Sequence, residues 1–307
     1  MVLILNAIVP MIILLALGQA LRRFSVVREE SWKGIGQLLY YFFFPALLIA
    51  RISTAQIDYG TVGSMAAAIM LAVLILFVLL IVLQFIMRFP PASFTSIVQC
   101  CSRLHTFVFL YLAAAAFGDE ALALAGIFTG FYVIFANTIS VSTLSICLNK
   151  SGGLRTVISE LVKNPLVLAS LIGLTINLTG ARLPGFLYIT FELLGEPALP
   201  VSLLCVGAGL VFRFETSRRW AILVGTLGRM LVVPIFAYGL MRLFEVEGLA
   251  LALGMLFSAS PTASQAYILA QKMGGDHEAM AAMITTTTLF SLISLPLILL
   301  IFAPLGG

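Results

Sequence analysis

Ten apolar runs constrain this chain more than any other feature. They lie at 2–21, 33–53, 60–87, 92–116, 120–147, 158–178, 185–212, 219–243, 247–272 and 277–302. A helix needs roughly 20 apolar residues to cross a bilayer, so each run is long enough or nearly so. Turn chemistry fills the gaps: Arg22-Arg23, Asp58-Tyr59-Gly60, Pro90-Pro91, Gly118-Asp119-Glu120, Ser151-Gly152-Gly153 and Gly274-Gly275-Asp276. No run alternates apolar and polar residues, which argues against a membrane barrel. The expected fold is an all-α membrane protein with ten transmembrane helices. Of the 307 residues, 61% are hydrophobic and 10% charged, against about 25% charged in soluble domains. A soluble enzyme, a disordered chain and a nucleic-acid binder are all excluded. The net charge of +4 is scattered between apolar runs rather than gathered in a patch, so the implied partner is the lipid bilayer and not nucleic acid.

Loop charge sets the orientation, because basic residues stay on the cytoplasmic side. Loops after odd-numbered spans carry twelve Lys and Arg: Arg22, Arg23, Arg28, Lys33, Arg88, Lys150, Arg155, Lys163, Arg213, Arg218, Arg219 and Lys272. Loops after even-numbered spans carry three, Arg51, Arg182 and Arg242. The odd loops are therefore expected in the cytoplasm and both termini outside. The first run lacks a basic n-region and a small-residue cleavage site, and reads as a retained span rather than a signal peptide. Cys100, Cys101, Cys147 and Cys205 sit inside apolar runs with no metal-ligand spacing, which suggests buried thiols, no disulfide and no metal.

An internal repeat is visible. Pro10, Gly18 and Pro45 recur 155 residues later as Pro165, Gly173 and Pro200, and Gly118-Asp119 recurs 157 residues later as Gly275-Asp276. The repeats are expected to be 1–150 and 151–307. Each holds an odd number of spans, five, so the second enters the membrane from the opposite side. Inverted repeats of this kind build secondary transporters, with the substrate site near the midplane where discontinuous helices meet.

Two spans carry the polar residues that such a site needs. In span 9, Pro261 sits near the middle among Ser258, Ser260, Thr262, Ser264 and Gln265. Proline removes a backbone donor and clashes with the preceding turn, and lipid offers no replacement partner. This favours an unwound, cavity-lining stretch over a simple kink. In span 4, Arg103 lies near the midplane, with His105 two residues on. An Arg at bilayer centre costs about 2.5–3.5 kcal/mol on insertion scales and persists where it faces a partner or a wet cavity. Its planar fork suits a carboxylate or phosphate, which makes an anionic substrate one reading. The other is an ion pair with Glu192 or Glu196. His105 is either a proton carrier or a hydrogen-bonded interior residue. Asn137 and Asn177 either contact substrate or bridge helices. Glu196, in the stretch GEPALP, is a candidate for proton coupling or a structural partner of Arg229. Thr285 to Thr288 read as hydroxyls bonded to backbone or neighbouring helices.

Four stretches together resemble the auxin efflux carrier family, in particular its bacterial malonate- and malate-permease-like branch: YYFFFPALLIARIS at 40–53, KNPLVLASLIGLTINLTG at 163–180, LLGEPALPVSLLCVGAGL at 193–210 and SPTASQAYILAQKMGGD at 260–276. The resemblance implies two inverted five-helix repeats, as in the bile-acid sodium symporter fold. Spans 1, 2, 6 and 7 would form a scaffold, and spans 3–5 and 8–10 a transport domain, with spans 4 and 9 unwinding to cross at the substrate site. It also implies organic-anion transport by an elevator-like motion, dimers through the scaffold, and a bacterial inner-membrane location. Carried onto this chain, the crossover residues of span 9 are Ser260, Pro261 and Thr262, and the matching Asn of span 5 is Asn137. One departure stands out. Relatives often have Gly-x-Pro at the span 4 crossover, where this chain has Phe109-Leu110-Tyr111. The first crossover is therefore expected to be less unwound, or held open by other means.

The expected function is secondary transport of a small mono- or dicarboxylate, with Arg103, His105, Asn137, Ser260, Pro261, Thr262 and Gln265 toward substrate. Glu196 and His105 are the candidates for ion coupling. No cofactor is expected, and the coupling ion is a proton or sodium. An intramembrane enzyme using Ser260 and His105 lacks an orienting acid, and no nucleotide-binding motif is present. A membrane sensor built on the same fold is the alternative.

Overall fold

The computed structural model describes residues 2–55, 59–148, 164–212 and 215–302. Asp58, Lys150, Arg155, Lys163 and Arg213, the turn 151–153 and the expected boundary between repeats at 150/151 lie outside them. Among the described residues the secondary structure is helical, with a single isolated β-bridge. In chain order the helices are α1 (Val2–Arg23), α2 (Glu29–Leu38), α3 (Phe44–Thr54), α4 (Tyr59–Met87), α5 (Pro91–Ser102), α6 (Thr106–Cys147), α7 (Pro165–Thr179), α8 (Gly185–Gly195), α9 (Ala198–Ala208), α10 (Arg219–Leu227), α11 (Val233–Leu243), α12 (Gly248–Ser258), α13 (Gln265–Met273) and α14 (His277–Phe302).

Among the described residues, seven helical stretches are long and apolar enough to cross a membrane: Leu5–Arg23, Glu30–Thr54, Val62–Met87, Thr106–Cys147, Gly185–Ala208, Thr216–Leu243 and His277–Phe302. The sequence suggests ten, and the difference has local causes. The run 247–272 is divided between α12 and α13, of 11 and 9 residues. The run 92–116 is cut after Ser102, and its second part continues into the following run as α6. The described part of the run 158–178 is α7, with 15 residues. Within α6, Gly118 has φ 81° and ψ −166°, so the helix turns there. Glycine has no Cβ to clash at that φ.

The lateral surfaces are apolar. Val78, Phe85 and Ile86 of α4 and Leu5 and Ile13 of α1 are exposed. Such a surface fits lipid and is too apolar for water. The protein is an integral membrane protein. Prolines bend the helices in a recurring way: π-turns at Leu39–Phe43 and Gly228–Val232 precede Pro45 and Pro234. A π-turn relieves the clash between a proline ring and the carbonyl four residues earlier.

The chain divides into two compact units, each drawing on both halves of the sequence. The first comprises Met1–Tyr59, Phe107–Phe131 and Glu160–Leu210; the second comprises Gly60–Thr106, Tyr132–Ser159 and Val211–Gly307. In the first unit, α1 and α9 touch backbone to backbone. A β-carbon at Gly18 would overlap the Leu204 carbonyl, and one at Gly207 would overlap the Leu15 carbonyl. Small residues permit such close approach in membrane helices. Asn177 of α7 donates to the carbonyls of Ile52 (3.0 Å) and Ala55 (2.7 Å), satisfying the end of α3. Of its two readings, Asn177 therefore takes the helix-bridging one. Arg51 pairs with Asp119 at 2.8 Å and lies 3.6 Å from Glu192.

The second unit is rich in buried polar side chains, among them Thr95, Ser96, Gln99, Ser102, Asn137, Ser140 and Arg229. At one end Asp276 accepts from Arg218 (2.9 Å), Ser93 (2.8 Å) and the Ala279 amide (3.0 Å), fixing the turn between α13 and α14 against α5. The hydroxyls of Thr285 to Thr288 all bond back to carbonyls one turn earlier, as their spacing suggests. The four cysteines are free.

Candidate functional site

Two helix breaks meet inside the second unit. The first is Arg103-Leu104-His105, between α5 and α6; Arg103 is extended at φ −103° and ψ 123°, and His105 has φ −83° and ψ 86°. The second runs from Ala259 to Ser264, between α12 and α13. Leu104 and Thr262 form an antiparallel bridge. The His105 amide donates to the Pro261 carbonyl at 2.7 Å, and the Ala263 amide to the Arg103 carbonyl at 3.3 Å. Backbone groups released by each break are thus satisfied by the other, as an apolar surrounding demands.

Each break is also held from the side. Thr262 is the best anchored residue of the second: its amide donates to Thr287 Oγ1 (3.2 Å) and its hydroxyl to the Cys100 carbonyl (2.9 Å). The Ser260 hydroxyl bonds back to the Leu256 carbonyl at 2.8 Å. Arg229 of the π-turn donates through Nε to the Ser260 carbonyl (3.0 Å) and through Nη2 to the Phe257 carbonyl (3.1 Å). The carboxylate partner that Glu196 offers in the sequence is thus replaced by carbonyls. At the first break, Tyr132 donates to the Ser102 carbonyl at 2.7 Å, and Ser102 meets Ser140 at 3.3 Å.

Arg103 is half-buried, and its Nη2 donates to Asn137 Oδ1 at 2.7 Å. Glu192, one of the acids the sequence offers as a partner for Arg103, lies beside Arg51 at 3.6 Å. An amide oxygen orients the planar guanidinium. Among the seven residues expected toward substrate, Arg103, His105, Asn137, Pro261 and Thr262 come together through the bridge and its bonds. Ser260 precedes Pro261 in the chain, and its carbonyl is taken by Arg229. His105 is buried, and its amide is committed to the bridge. Gln265 stands at the start of α13; it and Ser264 are exposed, and Ala263 is half-buried. Exposed polar side chains in the middle of an apolar run mark a wet surface rather than a lipid-facing one. Glu196 is also exposed, at the Glu196-Pro197 step between α8 and α9 in the first unit.

The first crossover lies earlier in the chain than the resemblance places it. Phe109-Leu110-Tyr111 are helical. The break lies six residues before Phe109, at Arg103, and forms without proline or glycine. Sequence reading also missed Tyr132, whose hydroxyl holds the end of α5, and Gln99, fully buried one turn before the break with neither side-chain polar atom bonded to a described residue. A polar residue in an otherwise apolar stretch was the available signal for both.

Residues 152–299 match the family model for membrane transport proteins. An uncharacterized transporter of Methanocaldococcus jannaschii is 22% identical over 302 residues, covering 95% of this chain and 96% of the relative. A second uncharacterized transporter, from Methanothermobacter thermautotrophicus, is 30% identical over 190 residues, covering 61% of this chain and 60% of the relative. The match and both relatives point to a membrane transporter, in agreement with the resemblance to auxin efflux carriers. In a transporter, two crossed breaks place α6 and α13 so that each begins at the crossing. The free amides and positive dipole end of a helix start favour anions. The Ser264 and Gln265 end of α13 is open, and Arg103 stands on the strand bridged to it.

Proposed function

We propose that this transporter carries small organic anions, mono- or dicarboxylates, by an elevator-like alternating-access motion. The observation that carries the reading is the charged Arg103 on a crossing of two helix breaks. Arg103, steadied by Asn137, binds the carboxylate; the amides around Ser264 and Gln265 and the Thr262 region complete the site; His105 lies beside it. Ten spans in two inverted five-helix repeats fit the chain best. The bridged residues Leu104 and Thr262 are 158 apart, close to the repeat offset of 157, and the repeat aspartates Asp119 and Asp276 each pair with an arginine, Arg51 and Arg218. Spans 1, 2, 6 and 7 serve as the scaffold and dimer contact, and spans 3–5 and 8–10 as the moving part. The bias of basic residues supports cytoplasmic odd-numbered loops and outward termini, in the manner of a bacterial inner-membrane permease. Coupling is to a proton or to sodium, with His105 and Glu196 as the proton candidates.

The test is charge movement by purified protein in liposomes on a solid support, challenged with a panel of small carboxylates at several pH values. A transient for one acid that is absent in Arg103→Ala supports the reading. A thermal shift without charge movement or isotope flux indicates a sensor. No response in any of the three assays overturns the carboxylate assignment.

A further inference from the structure

Arg229 is fully buried, yet no carboxylate pairs with it among the described residues. The titratable groups around it are Tyr132, Cys100 and Cys101. A buried guanidinium without a counter-charge is costly, so the Tyr132 hydroxyl and the carbonyls it touches do the compensating. Those carbonyls are Phe257 and Ser260, at the C-terminal end of α12 and the start of the second break. The last carbonyls of a helix have no partner within it and carry the negative end of its dipole. The Phe257 ring lies 6.0 Å from the guanidinium carbon and adds its π face. Tyr132 stands edge-on to that ring at 4.6 Å between centroids.

Unwound carbonyls at the C-terminal end of a half-helix are the usual cradle for a sodium ion in transporters with broken helices. Here the cradle is filled from within the chain. We propose that the Arg229 guanidinium is a built-in cation, which takes the place of a bound sodium ion at the second break and holds Ser260-Pro261-Thr262 in the unwound form. The π-turn at Gly228–Val232 delivers it, packed so tightly on α5 that a β-carbon at Gly228 would lie 2.8 Å from Cys101 Sγ. Arg229 is thus a positioning residue with a fixed charge. Substrate movement is then independent of sodium at this break, which leaves the proton as the coupling ion. Only that consequence for coupling rests on reading the crossing as the transport site.

The test needs no substrate, so its failure is separate from failure of the carboxylate assignment. Purified wild-type protein is melted in sodium, potassium and choline chloride at equal ionic strength. The expected melting temperatures agree to within about 1 °C. Arg229→Ala is expected to melt several degrees lower, and to regain at least half of the loss with millimolar guanidinium or with sodium. Arg229→Lys keeps the charge, and is expected to remain indifferent to sodium. Three results overturn the proposal: selective stabilisation of the wild type by sodium, selective stabilisation of Arg229→Lys by sodium, or an Arg229→Ala protein that responds to neither guanidinium nor sodium. If Arg229→Ala does not purify, the wild-type and Arg229→Lys melts decide by themselves.

Discussion

The two breaks that meet at Leu104 and Thr262 are made by different means. The second contains Pro261, whose missing donor and ring clash stop α12 locally. The first contains neither proline nor glycine. Its extended residues are held by what surrounds them: Asn137 on the Arg103 side chain, Tyr132 on the Ser102 carbonyl, and Ala263 on the Arg103 carbonyl. One break is written into its own residues and the other is imposed by its neighbours. The imposed break is the one that carries the charge.

Substitutions can pull this contrast apart, starting with the charge itself. Arg103→Ala should lower anion affinity on the order of 100-fold, the scale for truncating one member of a buried, hydrogen-bonded charge pair. The folded protein should survive, as titration calorimetry combined with a melting curve would show. Unchanged affinity would remove Arg103 from the site. Asn137→Asp turns the steadying contact into an ion pair that competes with substrate. Affinity should fall about 10-fold, equivalent to ~1.4 kcal/mol, while the melting temperature holds or rises; an equal fall in Asn137→Ala would show that orientation, not charge competition, is what Asn137 supplies. Pro261→Ala returns a backbone donor to the second break. Flux should slow several-fold, while stability changes by only about 0.5 kcal/mol. Equal flux in proteoliposomes would make that break a passive kink. The smallest effect belongs to Tyr132→Phe, which leaves the Ser102 carbonyl short of a donor at a cost of about 1 kcal/mol. It should loosen the first break more than the second, read as faster amide exchange at Arg103 and His105 than at Thr262 and Ala263.

The same contrast explains what the sequence reveals. Pro261 among hydroxyl residues announces its break, and Thr285 to Thr288 announce a helix whose hydroxyls look inward. The apolar runs mark the bilayer, but they suggest ten spans where seven helical stretches among the described residues are long enough to cross it. The position of the first break is not announced, because the bonds that fix it come from residues such as Asn137 and Ala263, distant along the chain. Family resemblance looked for it at Phe109 to Tyr111, which are helical. Arg229 was visible as a charge inside an apolar run. Its partners were not, since carbonyls belong to every residue and leave no trace in the sequence. Glu196 looked like an interior carboxylate because of its apolar flanks, but the Glu196-Pro197 step brings it to the surface.

The contact between α1 and α9 has a mechanical meaning. Gly18 rests on the Leu204 carbonyl and Gly207 on the Leu15 carbonyl, so the two backbones interlock at two points on an antiparallel pair. Sliding either helix by a single residue would drive a side chain into a peptide plane. The pair therefore behaves as a rivet rather than a bearing. It resists shear along its length, and whatever displacement accompanies transport must find its freedom at some other joint.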